Sequence, residues 1–435
     1  MRTKNMQVID NKLYMGKFSL EELANTYKTP LYVYDEVGLR YKMDLFKNHF
    51  VSNKFDCKVV YATKAFLAPR LIKMLSEYGF YADGVSMGDM YLLEKSGFSL
   101  KHLVLHGNNK SDEELTNAVE KDAGYIVVDN YGELRRLVKI AESYKKEVKT
   151  LIRINPGIEA HTHAYIETSL LDSKFGESIY DMSILEKMFD VYSRSKYVKL
   201  EGFHAHIGSQ ISSPESFKQA ALKMCDFYKM VKEKYGLNLK TLDLGGGFGI
   251  KYLDEDNEIN LPVMLKTIVE VVESEMEKND IDLETLMIEP GRSLVGDNGV
   301  TLYKVEGLKK TFANVEYAFV DGGMADNIRP ALYQALYSVD VANRVESEVK
   351  KEISIVGKCC ESGDIVRKNI VMNEVKKGDT LVVYSTGAYC YSMSMNYNGL
   401  TRGAVVFVDD EKVHEVIKKQ SLEDLVSTCV FEEEE

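Results

Sequence analysis

The stretch Val59-Val60-Tyr61-Ala62-Thr63-Lys64-Ala65 combines a short apolar run with a lysine at its end. The β-branched residues and the tyrosine predict a buried strand, and apolar residues continue after the lysine at 66–68. A lysine in apolar surroundings tends towards the neutral, nucleophilic form that a Schiff-base lysine needs. The ordinary alternative is a lysine that extends from a strand end into solvent, so the residues that accompany Lys64 have to decide.

Seven further apolar runs follow at regular intervals and share this strand-like character. The segments between them, such as 68–78, 112–121 and 132–145, have the period of helices, and an alternation of buried strands with helices predicts a parallel sheet. Eight such units fit a (β/α)8 barrel better than an open doubly wound sheet, which usually has fewer strands. The eight runs lie at 58–64, 79–84, 102–107, 125–130, 150–156, 202–208, 241–247 and 286–291.

Nearly every run ends in a polar residue or a glycine. The carboxyl ends of all barrel strands lie at one rim, where active sites are built, so these residues are predicted to converge. Taken singly, Asp129 and His106 also fit ordinary positions at the start of a loop. The residues at the ends of the runs are Lys64, Asp83, His106, Asp129, Arg153 with Asn155, His206, Gly245 to Gly247, and Glu289 with Arg292.

The pattern changes after about residue 295, where strand-like segments follow one another without regular helices. These segments, at 300–305, 315–320, 352–356, 380–384 and 403–408, predict a second, mainly antiparallel β domain. The N-terminal strand at 31–34 is expected to join it. The predicted division is 1–35 as an N-terminal segment of the β domain, 36–295 as the cofactor-binding barrel, and 296–435 as the C-terminal β domain. The acidic residues 432–435 are expected to form a solvated tail.

The composition restricts the partners and the compartment. A net charge of −12 argues against nucleic acid or an anionic membrane as a partner, because such a surface repels phosphate at long range. The first residues lack the apolar segment of a signal peptide, and no run of about 18 apolar residues occurs, so neither export nor membrane spanning is expected. The six cysteines form no CxxC pair and indicate reduced thiols in a cytoplasmic protein.

The glycine run Gly245-Gly246-Gly247-Phe248-Gly249 follows the seventh strand. Consecutive glycines allow backbone N–H groups to converge on an anion, and barrels commonly bind a phosphate at the loops after strands 7 and 8. A tight turn is the alternative explanation. The run is not the dinucleotide fingerprint, because no GxGxxG follows the first strand.

Two further groups of residues suggest a bound ring. Glu289 ends the eighth run, where a rigid carboxylate can pair with the nitrogen of an electron-poor pyridinium, while Arg292 can bind a substrate carboxylate. A structural salt bridge is the simpler alternative. His204 and His206 share one face of the sixth strand, but no third ligand with metal spacing accompanies them. We therefore expect one histidine to stack on a flat ring, and no metal site.

A lysine after strand 1, glycines after strand 7 and an acid after strand 8 together suggest pyridoxal 5'-phosphate as the cofactor. The sequence also resembles the fold-type III pyridoxal-phosphate decarboxylases over nearly its whole length, and most closely the members that act on meso-diaminopimelate. The matching motifs are YATKAF (61–66), LHGNNKSDEEL (105–115), RINPGIEAHTHAYI (153–166), DSKFG (172–176), HAHIGSQ (204–210), LDLGGGFGI (242–250), EPGRSLV (289–295), DGGMADNIRPALY (321–333), CESGD (360–364) and GAYCYSMSMNYNG (387–399).

The resemblance implies a role for each matching position of the cofactor site. Lys64 would be the Schiff-base lysine, His206 would stack on the ring, and Glu289 would face the pyridine nitrogen. The phosphate would be bound by Ser209, Gly245, Gly246, Gly247 and Tyr389.

The resemblance also implies the reaction, which is decarboxylation of meso-diaminopimelate to L-lysine. Cys360 would lie beside the reacting carbon as a proton donor or positioning group, and Glu361 would bind the distal amine. In such relatives Cys360, Glu361 and Tyr389 lie near or across a dimer interface, so a homodimer with shared sites is expected. The distal carboxylate would be bound by Arg292, Arg329 and Tyr333, and Tyr389 would also contact the substrate.

Other interpretations remain open at this point. Arg329 and Tyr333 also fit a pair on a helix surface, and Cys360 fits a small buried residue. A relative that acts on ornithine, arginine or a carboxylated polyamine would need an acid for a distal cation, whereas Arg292 and Arg329 suit a second carboxylate. A non-catalytic regulatory relative is disfavoured by the presence of Lys64, Glu289 and Cys360, and a racemase by the CESGD motif.

Overall fold

The computed structural model describes residues 2–157 and 173–431, which form two compact units. The barrel unit consists of Lys42–Ile250 and Glu258–Ser293. The β unit consists of the described residues up to Tyr41, the segment Lys251–Asn257, and the described residues from Leu294 onwards. Most of the motif at 153–166, the first residue of the motif at 172–176, and the predicted tail at 432–435 lie outside the described residues. The division at 35 and 295 stays a prediction.

The N-terminal segment begins with a small antiparallel sheet of three strands, β1 (Met6–Ile9), β2 (Lys12–Met15) and β3 (Phe18–Ser19). Helix α1 (Leu20–Tyr27), strand β4 (Leu31–Asp35) and helix α2 (Glu36–His49) follow. Strands β1 to β3 were not predicted, because runs of two to four residues are too short to establish a period of two.

Eight parallel strands close into a barrel, which confirms the predicted (β/α)8 fold. The order of the strands around the barrel follows the chain, and the last strand pairs with the first. A further two-residue strand, β10, pairs with the end of β9 outside this ring. The strands are β5 (Asp56–Ala62), β6 (Tyr81–Gly84), β7 (Leu103–Leu105), β8 (Tyr125–Val128), β9 (Val148–Asn155), β10 (Glu177–Ser178), β11 (Val198–His204), β12 (Thr241–Asp243) and β13 (Thr285–Ile288).

A helix follows each barrel strand, as the alternating pattern predicts. The interior of the barrel is filled by apolar side chains from several strands, among them Val60, Val104, Val127, Leu151 and Met287. The helices are α3 (Pro69–Tyr78), α4 (Met87–Lys95), α5 (Asp112–Glu120), α6 (Tyr131–Tyr144), α7 (Met182–Arg194), α8 (Pro214–Tyr235), α9 (Leu261–Asn279) and the short α10 (Arg292–Val295).

The β unit is built around a mixed sheet in which the N-terminal strand β4 lies between β14 and β20, antiparallel to the first and parallel to the second. This position confirms that the strand at 31–34 joins the second domain. Strands β16, β18 and β21 were not predicted, and most side chains of β18 and β21 lack the burial that makes a pattern visible. The elements are β14 (Gly299–Lys310), β15 (Glu316–Val320), α11 (Arg329–Tyr333), β16 (Val339–Val341), β17 (Lys350–Val356), β18 (Ile365–Asn373), β19 (Thr380–Val383), β20 (Ala404–Val408), β21 (Val413–Ile417) and α12 (Leu422–Val426).

None of the described helices contains an apolar stretch of the length that a bilayer requires.

Candidate active site

Lys64 lies in a single 3-10 turn, Thr63–Ala65, directly after β5. Thr63, Ala65 and Phe66 are buried, but the side chain of Lys64 is exposed. The expectation of apolar surroundings for Lys64 itself is therefore wrong. The turn directs its neighbours into the protein and leaves the lysine at the barrel mouth. The positive charge of Lys64 adds to the burial that lowers the pKa of His206, and it partly offsets the burial that raises the pKa of Asp83.

Glu289 follows the last barrel strand and is the centre of a buried hydrogen-bond network. Its Oε1 lies 2.6 Å from Nε2 of His106, and its Oε2 lies 3.1 Å from Nε2 of His204. All three side chains are buried. Because β13 pairs with β5, the backbone around Glu289 also adjoins the strand that leads to Lys64, and the N–H of Ala62 donates to the carbonyl of Pro290 at 3.0 Å.

The electrostatics of this network favour the ionised form of Glu289 and the neutral form of the His204 imidazole. Burial alone would raise the pKa of Glu289, but the two histidines hold it well below its usual range. Burial lowers the pKa of His204 to about 4. Nδ1 of His204 is buried and has no partner among the described residues, so the single ring proton belongs on Nε2, where it can be donated to Glu289.

These three side chains also provide a possible metal-ligand set, since one ligand atom of each lies within 4.8 Å of the others. Each carboxylate oxygen of Glu289 is already within hydrogen-bond distance of one imidazole nitrogen. The sequence did not reveal this set, because its members come from strands β7, β11 and β13.

His206 lies just beyond β11 and is partly buried. Its Nδ1 accepts a hydrogen bond from the backbone N–H of Gly246 at 3.2 Å, which fixes the orientation of the ring. Burial, the ammonium of Lys64 and the guanidinium of Arg153 lower its pKa well below the ordinary value, so the ring is neutral. Its predicted stacking on a flat ring stays a prediction.

The glycine run occupies a place where side chains would not fit. A Cβ at Gly245 would lie 2.5 Å from the carbonyl oxygen of Ala205, and one at Gly246 would collide with the carbonyl of Glu289. Gly245 and Gly247 have φ angles of +66° and +109°, which favour glycine. Close packing of strand ends therefore requires these residues.

Two backbone N–H groups of the glycine run already donate hydrogen bonds within the protein. The N–H of Gly245 donates to Oδ1 of Asp243 at 2.8 Å, and that of Gly246 donates to His206. Within the described parts of the chain, the N–H of Gly247 has no acceptor. Arg292, which is buried, donates from Nη2 to Oγ of Ser209 at 3.0 Å. This contact joins the loop after β11 to the loop after β13.

Two other rim acids differ in their surroundings. Asp83 is buried, and burial raises its pKa to about 6. Asp129 accepts the N–H of Gly176 at 3.1 Å and lies near the guanidinium of Arg153, which covers the ring of Phe175 at 4.4 Å. The contacts of Asp129 therefore fit the loop-organising alternative.

The β unit contains the remaining predicted residues, and Arg329 is the most constrained of them. It begins α11 and is buried, so the interpretation as a helix surface pair is wrong for Arg329. Its Nε donates to the hydroxyl of Tyr337 at 2.8 Å, and its guanidinium carbon lies 5.4 Å and 5.5 Å from the ring centres of Tyr333 and Tyr389. Although burial opposes the charge, Tyr337, Tyr252 and other neighbours raise the pKa of Arg329.

Cys360 is exposed, which is at odds with a small buried core residue, while the adjacent Cys359 is buried. The backbone N–H of Cys360 donates to Oδ1 of Asn398 at 2.7 Å. Glu361 is also exposed. Asp364, from the same motif, accepts the N–H of Cys359 at 2.8 Å and orders this loop.

The sequence did not assign roles to His204 as a partner of Glu289, to Asp243, or to Tyr337. Asp243 had a visible signal, since it is a carboxylate at the end of an otherwise uncharged strand, two residues before the glycine run. Tyr337 had none, because its contact with Arg329 depends on a turn after α11.

Comparisons with known proteins agree with this arrangement. A family model described as the pyridoxal binding domain of pyridoxal-dependent decarboxylases matches residues 38–296. The chain is 44% identical to the diaminopimelate decarboxylase of Bacillus subtilis over 414 residues, which cover 95% of this chain and 94% of that protein. It is 40% identical to the Staphylococcus aureus enzyme of the same name over 418 residues, with 96% and 97% covered.

Among solved structures, diaminopimelate decarboxylase from M. jannaschii in complex with L-lysine superposes with a TM-score of 0.91 at 30% identity, and the match covers 99% of each chain. The matches extend over both units rather than the barrel alone. The chain therefore belongs to the diaminopimelate decarboxylases, within the family of pyridoxal-dependent decarboxylases.

Proposed function

We propose that this protein decarboxylates meso-diaminopimelate to L-lysine and carbon dioxide, with pyridoxal 5'-phosphate bound through Lys64. The observation that carries the proposal is the position of Glu289, which lies within hydrogen-bond distance of two imidazoles beside the strand that leads to Lys64. The relatives named above support the substrate, and one of them was solved with L-lysine, the expected product.

The residues at the barrel mouth fit this cofactor in charge and in hydrogen bonding. The aldehyde needs a primary amine, which the exposed Lys64 provides. The pyridine nitrogen needs an anionic acceptor, which Glu289 provides. The phosphate needs donors, and these are the N–H of Gly247, the hydroxyl proton of Ser209, and the guanidinium of Arg292 beside it.

When bound, the cofactor accepts the electron pair released as the bond between Cα and the leaving carboxylate breaks. Glu289 would keep a proton on the ring nitrogen by accepting a hydrogen bond from it. His106 and His204 donate to Glu289, so that Glu289 does not take this proton itself. The neutral ring of His206, fixed by Gly246, is proposed to lie against the ring of the cofactor.

The distal end of the substrate carries a second carboxylate and a second amine. Arg329 suits the carboxylate, because a buried guanidinium held by Tyr337 and covered by aromatic rings is a fixed cation. Tyr333 and Tyr389 are proposed to assist it. Arg292 remains a second candidate, although its bond to Ser209 fits the phosphate equally well.

Cys360 and Glu361 are proposed to complete the substrate site. The exposed thiol of Cys360 would return a proton to Cα after carbon dioxide has left, and the carboxylate of Glu361 would bind the distal ammonium. We also propose a homodimer in which both subunits contribute to each site. Mixing inactive Lys64→Ala and Cys360→Ala subunits should then restore about a quarter of the wild-type activity, since half of the random dimers carry one intact site. No recovery on mixing would contradict shared sites.

A cytoplasmic location stays a prediction from the sequence. It agrees with the six cysteines, all of which are free thiols.

The substrate is tested by supplying pyridoxal 5'-phosphate and measuring carbon dioxide release from meso-diaminopimelate, ornithine, arginine and lysine at equal concentrations. Release from meso-diaminopimelate alone is expected, with Lys64→Ala as the inactive control. Carbon dioxide release only from ornithine or arginine would overturn the assignment of meso-diaminopimelate as the substrate. Failure to bind the cofactor would instead favour a non-catalytic relative.

A further inference from the structure

We propose that Lys110 is a positioning residue of the cofactor site, whose buried ammonium fixes the chain after β7 and thereby holds His106 against Glu289. The inference rests on the proposed function, because the position of His106 matters for catalysis only if Glu289 faces a ring nitrogen. The contact between His106 and Glu289 can be observed without cofactor or substrate.

The ammonium of Lys110 is fully enclosed by the barrel unit. The residue is 1% exposed, although lysines are almost never fully buried without a partner. Each of its three donors has an acceptor, namely the carbonyl oxygens of Gly107 and Val127, both at 2.7 Å, and Oε1 of Glu133 at 2.8 Å. Because these contacts use all three donors, Lys110 acts on the site through them and not by binding a ligand.

The three acceptors lie on different elements near the carboxyl ends of the barrel strands. Gly107 follows β7, and the chain turns there with a φ of +120°, which favours glycine. Val127 lies next to the last residue of β8, and Glu133 lies in the first turn of α6. The carbonyl of Lys110 itself accepts from Nη2 of Arg136 at 2.8 Å. The ammonium therefore fixes the loop after β7 to strand β8 and helix α6.

His106 lies between two fixed points of the chain. Its own N–H donates to the carbonyl of Gly84 at 2.7 Å, and the next residue, Gly107, is held by Lys110. Between these points its Nε2 lies 2.6 Å from Oε1 of Glu289. A displacement of about 1 Å would lengthen this distance beyond that of a hydrogen bond. Loss of the ammonium would free the backbone on the side of Gly107 for such a displacement.

A purely stabilising role of Lys110 is the alternative, and the two roles can be separated. Lys110→Met with Glu133→Leu removes both buried charges and should keep the stability near that of the wild type. It also removes the contact to Gly107. We therefore expect kcat to fall about 10-fold or more, with KM within about threefold of wild type. A purely stabilising lysine predicts an unchanged kcat in this double variant.

Glu133→Gln tests the converse case. Glutamine keeps an acceptor for Lys110 but removes its counter-charge, so stability should fall while kcat stays within about threefold of wild type. The matched control is Lys121→Met with Glu94→Leu. It removes an exposed lysine–glutamate pair, 2.7 Å apart, that joins the end of α5 to α4, and it should leave kcat unchanged.

The position of His106 is measured by proton NMR of the cofactor-free protein. A ring N–H that makes a short hydrogen bond to a carboxylate resonates far downfield of the backbone amides. The signal of His106 is identified by its loss in His106→Gln. We expect it to persist in Glu133→Gln and in the control, and to move upfield or disappear in Lys110→Met with Glu133→Leu.

An unchanged downfield signal in Lys110→Met with Glu133→Leu would overturn the proposal, as would an unchanged kcat. So would a loss of kcat in Glu133→Gln as large as that in the double variant, or a wild type without a signal that His106→Gln removes. If the double variant does not fold, Lys110→Leu with Glu133→Met removes the same groups and is measured in the same way. If the wild type releases no carbon dioxide from any substrate, the proposed function fails while the NMR result still decides whether Lys110 positions His106.

Discussion

Replacing Glu289 with glutamine tests the central element of the site. Glutamine has nearly the same shape as glutamate, so the fold of the barrel should be retained. The substitution removes the charge and turns one acceptor oxygen into an N–H donor. That donor would face the Nε2–H of either His106 or His204, which now donate at 2.6 and 3.1 Å to two oxygens.

The expected magnitude follows from the hydrogen bond that Glu289 is proposed to make with the ring nitrogen. A hydrogen bond to a charged group contributes about 1.5–3 kcal/mol, which corresponds to a loss of about 10- to 100-fold in kcat. Binding of the cofactor depends mainly on Lys64 and the phosphate donors. We therefore expect Glu289→Gln to bind pyridoxal 5'-phosphate but to lose most of its turnover.

The assay measures carbon dioxide release from meso-diaminopimelate together with cofactor binding by absorbance titration. Glu275→Gln is the matched control, because Glu275 is also buried but lies on helix α9, where it contacts Lys278 and Asn279. Turnover of Glu289→Gln equal to that of the control would refute the assigned role. Loss of cofactor binding in Glu289→Gln would show that Glu289 serves to retain the cofactor rather than to tune it.

Three further substitutions test other parts of the barrel. Lys64→Ala should abolish the visible absorbance of covalently bound cofactor, while Lys58→Ala, on the strand that precedes Lys64, should retain it. Retention in Lys64→Ala would mean that another lysine binds the aldehyde. Because the pKa of His204 falls from 6.5 to about 4 on folding, its contribution to stability is fully present above about pH 6.5 and is lost, by about 3 kcal/mol, as pH falls towards 4. Urea unfolding of His204→Gln should lack this part of the acid sensitivity, and an identical pH dependence in both proteins would contradict the assignment. Lys110→Met should destabilise the barrel by about 3–5 kcal/mol, since it leaves Glu133, now 2.8 Å from the Lys110 ammonium, charged and buried. Unfolding followed by circular dichroism should show that the stability recovers when Glu133→Leu is added to Lys110→Met. If Lys110→Met alone is as stable as the wild type, the predicted cost of leaving Glu133 unpaired is wrong.

The order of strands and helices could be predicted from the sequence because each element leaves its own pattern. A buried parallel strand requires a continuous apolar run, and the helix that follows it requires apolar residues that recur with a period near four. The polar residues at the ends of these runs could also be predicted to converge, since a closed barrel places all carboxyl ends at one rim. The short strands β1 to β3 and the mostly exposed β18 and β21 could not be predicted, because neither length nor burial gave them a pattern.

The sequence by itself determined which kinds of groups this protein brings to the barrel mouth: a lysine after the first strand, glycines after the seventh and a carboxylate after the eighth. Only the tertiary structure decided how these groups are paired and which are charged. Lys64 is exposed although its neighbours are buried, Glu289 lies against both imidazoles, and one oxygen of Asp243 receives no donor from the described residues. Such contacts join residues from strands that are far apart in the chain. Ionisation is set by hydrogen-bond partners and by burial, and both exist only after the barrel has closed.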